Sequence, residues 1–119
     1  MQLKLMEIHL AKPALTKLMN LDLPVNVAFR LSRIAKLVGD VFQDIEVQRV
    51  KLVEKHGVPS GPGFKVEPEN VAVFEDELNL LLDTETVTLD VAPIILNMLG
   101  DVKLTPMEML ALEPFLAEE

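Results

Sequence analysis

The amino-acid sequence predicts a mainly helical α+β fold, in which a long central helix and two or three shorter helices pack on a small β-sheet. Three observations predict this fold: a helical period through residues 23–57 that only Gln48 interrupts, three further helical segments, and several short runs of alternating polar and apolar residues. The 119 residues suit one domain. We expect a strand and helical hairpin over 1–57, a flexible connection over 58–64 and an acidic α/β half over 65–119. An all-α bundle is the alternative, because short strands are hard to recognise in a sequence.

The central helix carries the clearest pattern, because its seam positions alternate in spacings of four and three, as in helices that pack side by side. The seam consists of Val27, Leu31, Ile34, Val38, Val41, Ile45, Gln48 and Leu52. A helix of about 32 residues spans roughly 48 Å, whereas a compact domain of this size has a radius of gyration of about 14 Å. We therefore expect part of the seam to extend beyond its own domain and form an oligomer interface, with polar Gln48 fixing the register.

Two shorter elements precede the central helix. Residues 2–6 alternate polar and apolar side chains, which predicts a short strand. Helical spacing follows, but Pro13 fits a helix only in its first turn. The first helix is therefore expected to begin near residues 9–12 and to end before Asn20.

The second half of the chain alternates short strands and helices. Apolar spacing predicts a helix over 71–83, and strands are expected near 63–66 and 86–89, with 102–104 as a further candidate. Residues 93–96 fit either a short strand or a tight apolar turn. Thr105 and Glu108 form a capping box with Pro106 at the first helical position, which predicts a last helix. Beside this start, Met107 and Met109 could provide an adaptable contact surface.

Composition excludes several classes of protein. There is no cysteine, so neither a disulfide framework nor a thiolate metal site can form. Charges interrupt every apolar run before it reaches the roughly 20 residues that cross a bilayer. The sequence thus predicts a cytosolic protein without a membrane partner.

Charge is divided unevenly along the chain. Residues 1–65 contain ten Lys/Arg and six Asp/Glu, whereas residues 66–119 contain one Lys/Arg and thirteen Asp/Glu. The balances of +4 and −12 give the net charge of −8. An acidic half disfavours phosphate backbones, so nucleic acid is not an expected partner. We expect the two halves to complement each other, within one chain or between subunits.

Candidate sites are few. His9 and His56 have no metal-ligand spacing around them, and the Gly-rich residues 60–63 lack the Lys-Ser/Thr of a phosphate-binding loop. Arg30, Arg33 and Lys36 form a basic patch on the outer face of the central helix, a candidate anion contact. We therefore predict no catalytic residue, no metal and no cofactor, and hence no enzyme.

The order of caps, turns and core positions resembles a group of small phage and prophage proteins of unknown function. The residues that carry the resemblance are Met-Gln-Leu-Lys-Leu at 1–5, Leu-Pro-Val at 23–25, Phe29 to Leu37, Gln48 to Gly57, Val66 to Asn70, Glu77 to Leu81 with Val87, Pro93-Ile94, and Leu104-Thr105-Pro106 to Pro114. The resemblance covers nearly the whole chain and implies an accessory protein in the host cytoplasm. That group has no assigned catalytic residues to carry over.

These observations favour a non-enzymatic phage or prophage protein that binds protein, either as a homo-oligomer through the central helix or with a host or phage partner. One alternative is a counter-defence protein that sequesters a nucleotide signal through Arg30, Arg33 and Lys36, or with the 58–64 loop as a lid. A head or tail component of the virion is another.

Overall fold

The computed structural model describes residues 1–118 and confirms the mainly helical α+β fold. Its helices are α1 (Leu5–Met19), α2 (Val25–His56), α3 (Val71–Thr84) and α4 (Pro106–Leu112). Its strands are β1 (Gln2–Lys4), β2 (Gly57–Ser60), β3 (Gly63–Val66), β4 (Thr86–Thr88), β5 (Ile94–Ile95) and β6 (Leu116–Ala117). Short 3-10 turns occupy Pro68–Asn70, Leu96–Leu99 and Glu113–Phe115.

One continuous core joins α1, α2 and α3 to the C-terminal segment, whose Ile94, Leu112 and Phe115 are fully buried in it. It is almost entirely aliphatic, as the sequence requires, and Phe115 is the one aromatic side chain among the buried residues that the structure describes. The central helix begins two residues later and ends one residue earlier than predicted. The 32 residues of α2 set the long dimension of the molecule, which measures 49 × 27 × 24 Å.

The C-terminal end of α2 does not project freely. The β2–β3 hairpin and α3 both pack against it, and Glu77 of α3 accepts hydrogen bonds from Lys55 Nζ at 3.0 and 3.1 Å. The expected overhang of α2 is therefore only partly covered within the chain, because Leu52 and Val53 are half-buried whereas Val47 and Val50 remain 48% and 40% exposed.

The strands form three separate pairs instead of one sheet. Strand β1 pairs antiparallel with β4, with Leu3 opposite Val87, and β5 pairs parallel with β6. The expected strands near 2–6, 63–66 and 86–89 are thus present, but residues 102–104 form no strand. The expected flexible connection over 58–64 is instead the antiparallel β2–β3 hairpin, which turns at Gly61 with φ of +57°.

The first helix begins earlier than predicted and contains Pro13 in its interior. The Glu7 carboxylate accepts a hydrogen bond from the Lys4 amide at 2.9 Å, which starts the helix one turn sooner. The start of α4 agrees with the prediction, because Thr105 Oγ1 accepts from the Glu108 amide at 3.1 Å and Glu108 accepts from the Thr105 amide at 2.8 Å. Within residues 1–118, no helix is both long and apolar enough to cross a bilayer.

Candidate functional site

The seam of α2 lies inside the folded chain. Six of the eight residues predicted to form a partner interface are 0% to 9% exposed and belong to the core: Val27, Leu31, Ile34, Val38, Val41 and Ile45. Leu52 is half-buried, and Gln48 is exposed. This corrects the choice of interface residues, because α1 and α3 already cover the seam. In the folded chain, a partner of α2 can contact the seam only at its C-terminal end, at Gln48 and Leu52, or must bind another face of the helix.

The structure brings together two of the three predicted basic residues. Arg30 and Arg33 line a surface cleft of about 450 Å³ with Asn26, Phe29 and Asp90. Arg30 Nη1 donates to the Pro93 carbonyl at 3.0 Å, and Arg33 Cζ lies 5.8 Å from the centre of the Phe29 ring. Both guanidinium groups therefore already have partners within the chain.

The third predicted basic residue, Lys36, does not line this cleft. It is exposed further along α2. The three cations thus do not converge on a single anion.

A separate apolar surface lies where α4 packs on α1. It is formed by Leu10 of α1 with Met107 and Leu110 of α4, whose exposed fractions are 58%, 75% and 64%. We call it the α1–α4 surface. Met107 agrees with the contact surface expected near the C-terminus, while Met109 is half-buried beside it. Exposed apolar groups of this size that adjoin one another are typical of interaction sites.

Helical geometry explains why these side chains face outward. Ile8, Ala11 and Leu15 occupy the buried stripe of α1, and Leu10 lies off that stripe. In α4, Leu112 is fully buried, whereas Met107 and Leu110, three positions apart, share the opposite side. An apolar residue off the buried stripe was a signal available in the sequence, but isolated exposed apolar residues are common. Only the packing of α4 on α1 brings them together.

Three shallow grooves of about 370, 460 and 630 Å³ surround Leu110, which lines each of them. The smallest runs between Leu10 and Met107. The largest is bounded by the 3-10 turn at Leu96 and by strand β6 at Leu116. Their walls are mainly aliphatic, so they suit the apolar side chains of a partner.

Every charged side chain lining the three grooves is a carboxylate: Glu7, Glu108, Glu113 and Glu118. Glu108 is engaged by the Thr105 amide and by Lys17 Nζ at 2.9 Å, and these hydrogen bonds hold its pKa below the ordinary value. Glu113 and Glu118 are exposed, and neither forms an ion pair with another described residue. The rim of the α1–α4 surface is therefore acidic.

A second exposed apolar group lies at the start of α2. Val25 is 87% and Phe29 is 60% exposed, and they are four positions apart on the side of α2 away from the seam. Arg33 and Lys36 continue this side along the helix. We call these four residues the α2 N-terminal patch; it is apolar at its end and basic beside it.

The two histidines do not form a metal site, although His9 directly precedes Leu10 of the α1–α4 surface. His9 is exposed, and His56 Nε2 lies 3.1 Å from the Glu77 carboxylate. Hydrogen bonds from Lys55, which has the larger effect, and from His56 hold the pKa of Glu77 below its ordinary value. In residues 1–118, no group of three or more His, Cys, Asp or Glu residues is arranged to hold a metal ion.

Comparisons with family models, with curated proteins and with solved structures found no match to this chain.

Proposed function

We propose that this protein is a non-enzymatic accessory protein of a phage or prophage that acts by binding another protein chain through the α1–α4 surface. The phage context rests on the resemblance of the sequence. The binding role rests on one structural observation, the exposure of Leu10, Met107 and Leu110 beside grooves with aliphatic walls. Removing such a surface from water is the main source of affinity in protein association.

The acidic rim defines the chemistry of the partner. Glu113 and Glu118 border the largest groove, so a partner segment with apolar side chains flanked by Lys or Arg fits it best. Cationic groups on a partner would pair with these carboxylates at the edge of the contact, where they speed association and select among partners.

A photo-crosslinking amino acid at position 107 tests this proposal in cells that express the protein. Met107 is 75% exposed, so the replacement should leave the fold intact. We expect irradiation to give discrete protein adducts. The matched control is the same replacement at Leu80, which is 63% exposed on α3. The absence of adducts at position 107, or the same adducts at both positions, would contradict the proposal.

A second candidate function is the binding of a small anion such as a nucleotide, favoured by the cleft at the start of α2. There Arg30, Arg33 and the Asn26 amide surround an exposed aromatic ring. Cations beside an aromatic face can bind a phosphate and stack on a base. It ranks second because Asp90 lines the same cleft and Arg30 is bonded to a backbone carbonyl.

A thermal-shift panel of cyclic and linear nucleotides tests this candidate. A true ligand at about 100 times its dissociation constant stabilises the fold by about 2.7 kcal/mol and raises the melting temperature. Arg33→Ala should abolish that rise, whereas Arg49→Ala should not, because Arg49 lies on the same helix, pairs with Glu46 and does not line the cleft. No rise with any nucleotide would exclude this candidate for the compounds tested.

A further inference from the structure

The α2 N-terminal patch and the α1–α4 surface have complementary chemistry within one chain. We propose that the α2 N-terminal patch of one copy docks on the α1–α4 surface of a second copy, forming a head-to-tail contact. The proposal rests on the proposed function, because it names the partner of the same surface.

Apolar complementarity provides the centre of this contact. Val25 and Phe29 project from the first turns of α2 with most of their surface exposed. The grooves around Leu110 are bounded by aliphatic side chains and offer recesses for such groups. A buried aromatic anchor at the centre of a contact commonly dominates its affinity.

Charge complementarity fixes the orientation. Arg33 and Lys36 follow Phe29 along α2, while Glu113 and Glu118 border the largest groove. Docking Phe29 near Leu110 would therefore place cations beside carboxylates at the edge of the contact. Two copies of the same surface would instead bring the carboxylates of two α1–α4 surfaces together, which is repulsive. The charges thus favour a head-to-tail contact over a contact between like surfaces.

The division of charge along the chain supports a second copy as the occupant. Residues 1–65 carry a balance of +4 and residues 66–119 a balance of −12. The α2 N-terminal patch belongs to the first of these segments, and α4 with its carboxylates belongs to the second. The two halves can therefore complement each other between copies as well as within one.

The two surfaces use different residues, so one copy can bind two neighbours at once. A contact of this heterologous kind gives a closed ring if the rotation between copies closes, and a filament if it does not. The expected assembly is therefore larger than a dimer when both surfaces are intact.

Two single substitutions separate the surfaces. Val25→Asp places a charge in the α2 N-terminal patch, and Met107→Asp places one in the α1–α4 surface. Both positions are highly exposed, so the fold should be kept, which circular dichroism and the melting temperature verify. Leu80→Asp, on α3 and also exposed, is the matched control.

Light scattering coupled to size-exclusion chromatography gives the test. At about 50 µM, in the affinity range of weak specific contacts, wild type and Leu80→Asp should form assemblies of more than two chains. Val25→Asp and Met107→Asp should each be monomeric, with association weakened about tenfold or more. An equimolar mixture of the two variants should give a 1:1 heterodimer that does not grow, because one intact patch and one intact α1–α4 surface remain.

Three outcomes would overturn the proposal. They are a monomeric wild type, an assembly that survives both substitutions, and a mixture that stays monomeric. The first outcome together with adducts of another protein at position 107 would leave the proposed function standing with a different partner. A monomeric wild type without any adduct at position 107 would contradict both the head-to-tail contact and the proposed function.

The salt dependence of association tests the contribution of the charges independently. Raising NaCl from about 0.05 to about 0.5 M shortens the screening length from roughly 14 to roughly 4 Å and should weaken association several-fold. At low salt, combining Glu113→Lys with Glu118→Lys should also weaken association. Adding Arg33→Glu and Lys36→Glu should then restore association. Association that is indifferent to these changes would contradict the orientation proposed here.

Discussion

Replacing one buried valine of α2 tests whether the seam is the folding core of a single chain. Val38 is 1% exposed within the core formed with α1 and α3. Val38→Ala removes two carbon atoms, which costs about 1.6 kcal/mol at about 0.8 kcal/mol per buried group. The cavity left behind adds to this cost, so the free energy of unfolding should fall by about 2.5 kcal/mol.

The matched control is Val50→Ala in the same helix. Val50 is 40% exposed on another side of α2, and the gain in helix propensity on going from valine to alanine is the same at both positions. The free energy of unfolding of Val50→Ala should therefore differ from that of the parent chain by about 0.5 kcal/mol or less. The difference between the two variants therefore measures burial alone.

Urea unfolding followed by circular dichroism measures both changes. With a slope of about 1.5 kcal/mol per molar, the midpoint of Val38→Ala should fall by between roughly 1 and 2 M. The experiment is done in the Met107→Asp background, which blocks the proposed contact between copies. If Val38→Ala lowers the free energy of unfolding no more than Val50→Ala does, the seam is not the folding core of a single chain. A loss that varies with protein concentration would lead to the same conclusion, because it would tie the seam to a partner chain.

Three further predictions concern the ends of helices. Thr105→Ala removes the cap of α4 and should lower the free energy of unfolding by about 1 kcal/mol, seen as a melting temperature lower by roughly 3–5 °C. Gly57→Ala should lower the urea midpoint, because an added Cβ would lie only 2.9 Å from the Lys65 carbonyl oxygen. Left-handed backbone strain does not contribute, since φ of Gly57 is −103°. Because hydrogen bonds from Thr105 and Lys17 hold the pKa of Glu108 below its ordinary value, they stabilise the fold while that carboxylate is ionised and are lost on acidification. Glu108→Gln should therefore lower the urea midpoint most at neutral pH and least near pH 3.

Local patterns in the sequence predicted several elements well. The Thr105–Glu108 capping box and the seam of α2 both depend on neighbours within a few residues, and both agree with the structure. Pro13 was misplaced because the rule that confines proline to a first turn ignored the Glu7 carboxylate, which starts α1 earlier. The parallel pairing of β5 with β6 joins two-residue strands more than 20 residues apart, and no local period marks so short a contact.

The candidate site was harder to predict because it depends on which surfaces remain uncovered. A seam of alternating spacings looks the same whether its partner is α1 of the same chain or a helix of another copy. Leu10 and Leu110 are 100 positions apart, and only the packing of α4 on α1 makes them neighbours. The sequence thus contained the residues of the α1–α4 surface without the information that groups them.

The seam of α2 and the opposite side of the helix differ in what they can contribute to self-association. Up to Ile45 other elements of the same chain bury the seam, whereas beyond Ile45 the hairpin and α3 contact α2 and leave Val47 and Val50 48% and 40% exposed. The buried seam is therefore committed to folding, and exchanging it between copies would require opening the core. Val25 and Phe29, on the other side, are exposed in the folded monomer and can bind a neighbour without any such rearrangement. Self-association through α2 is thus most favourable at its N-terminal end, where the substitutions Val25→Asp and Val38→Ala should separate loss of assembly from loss of stability.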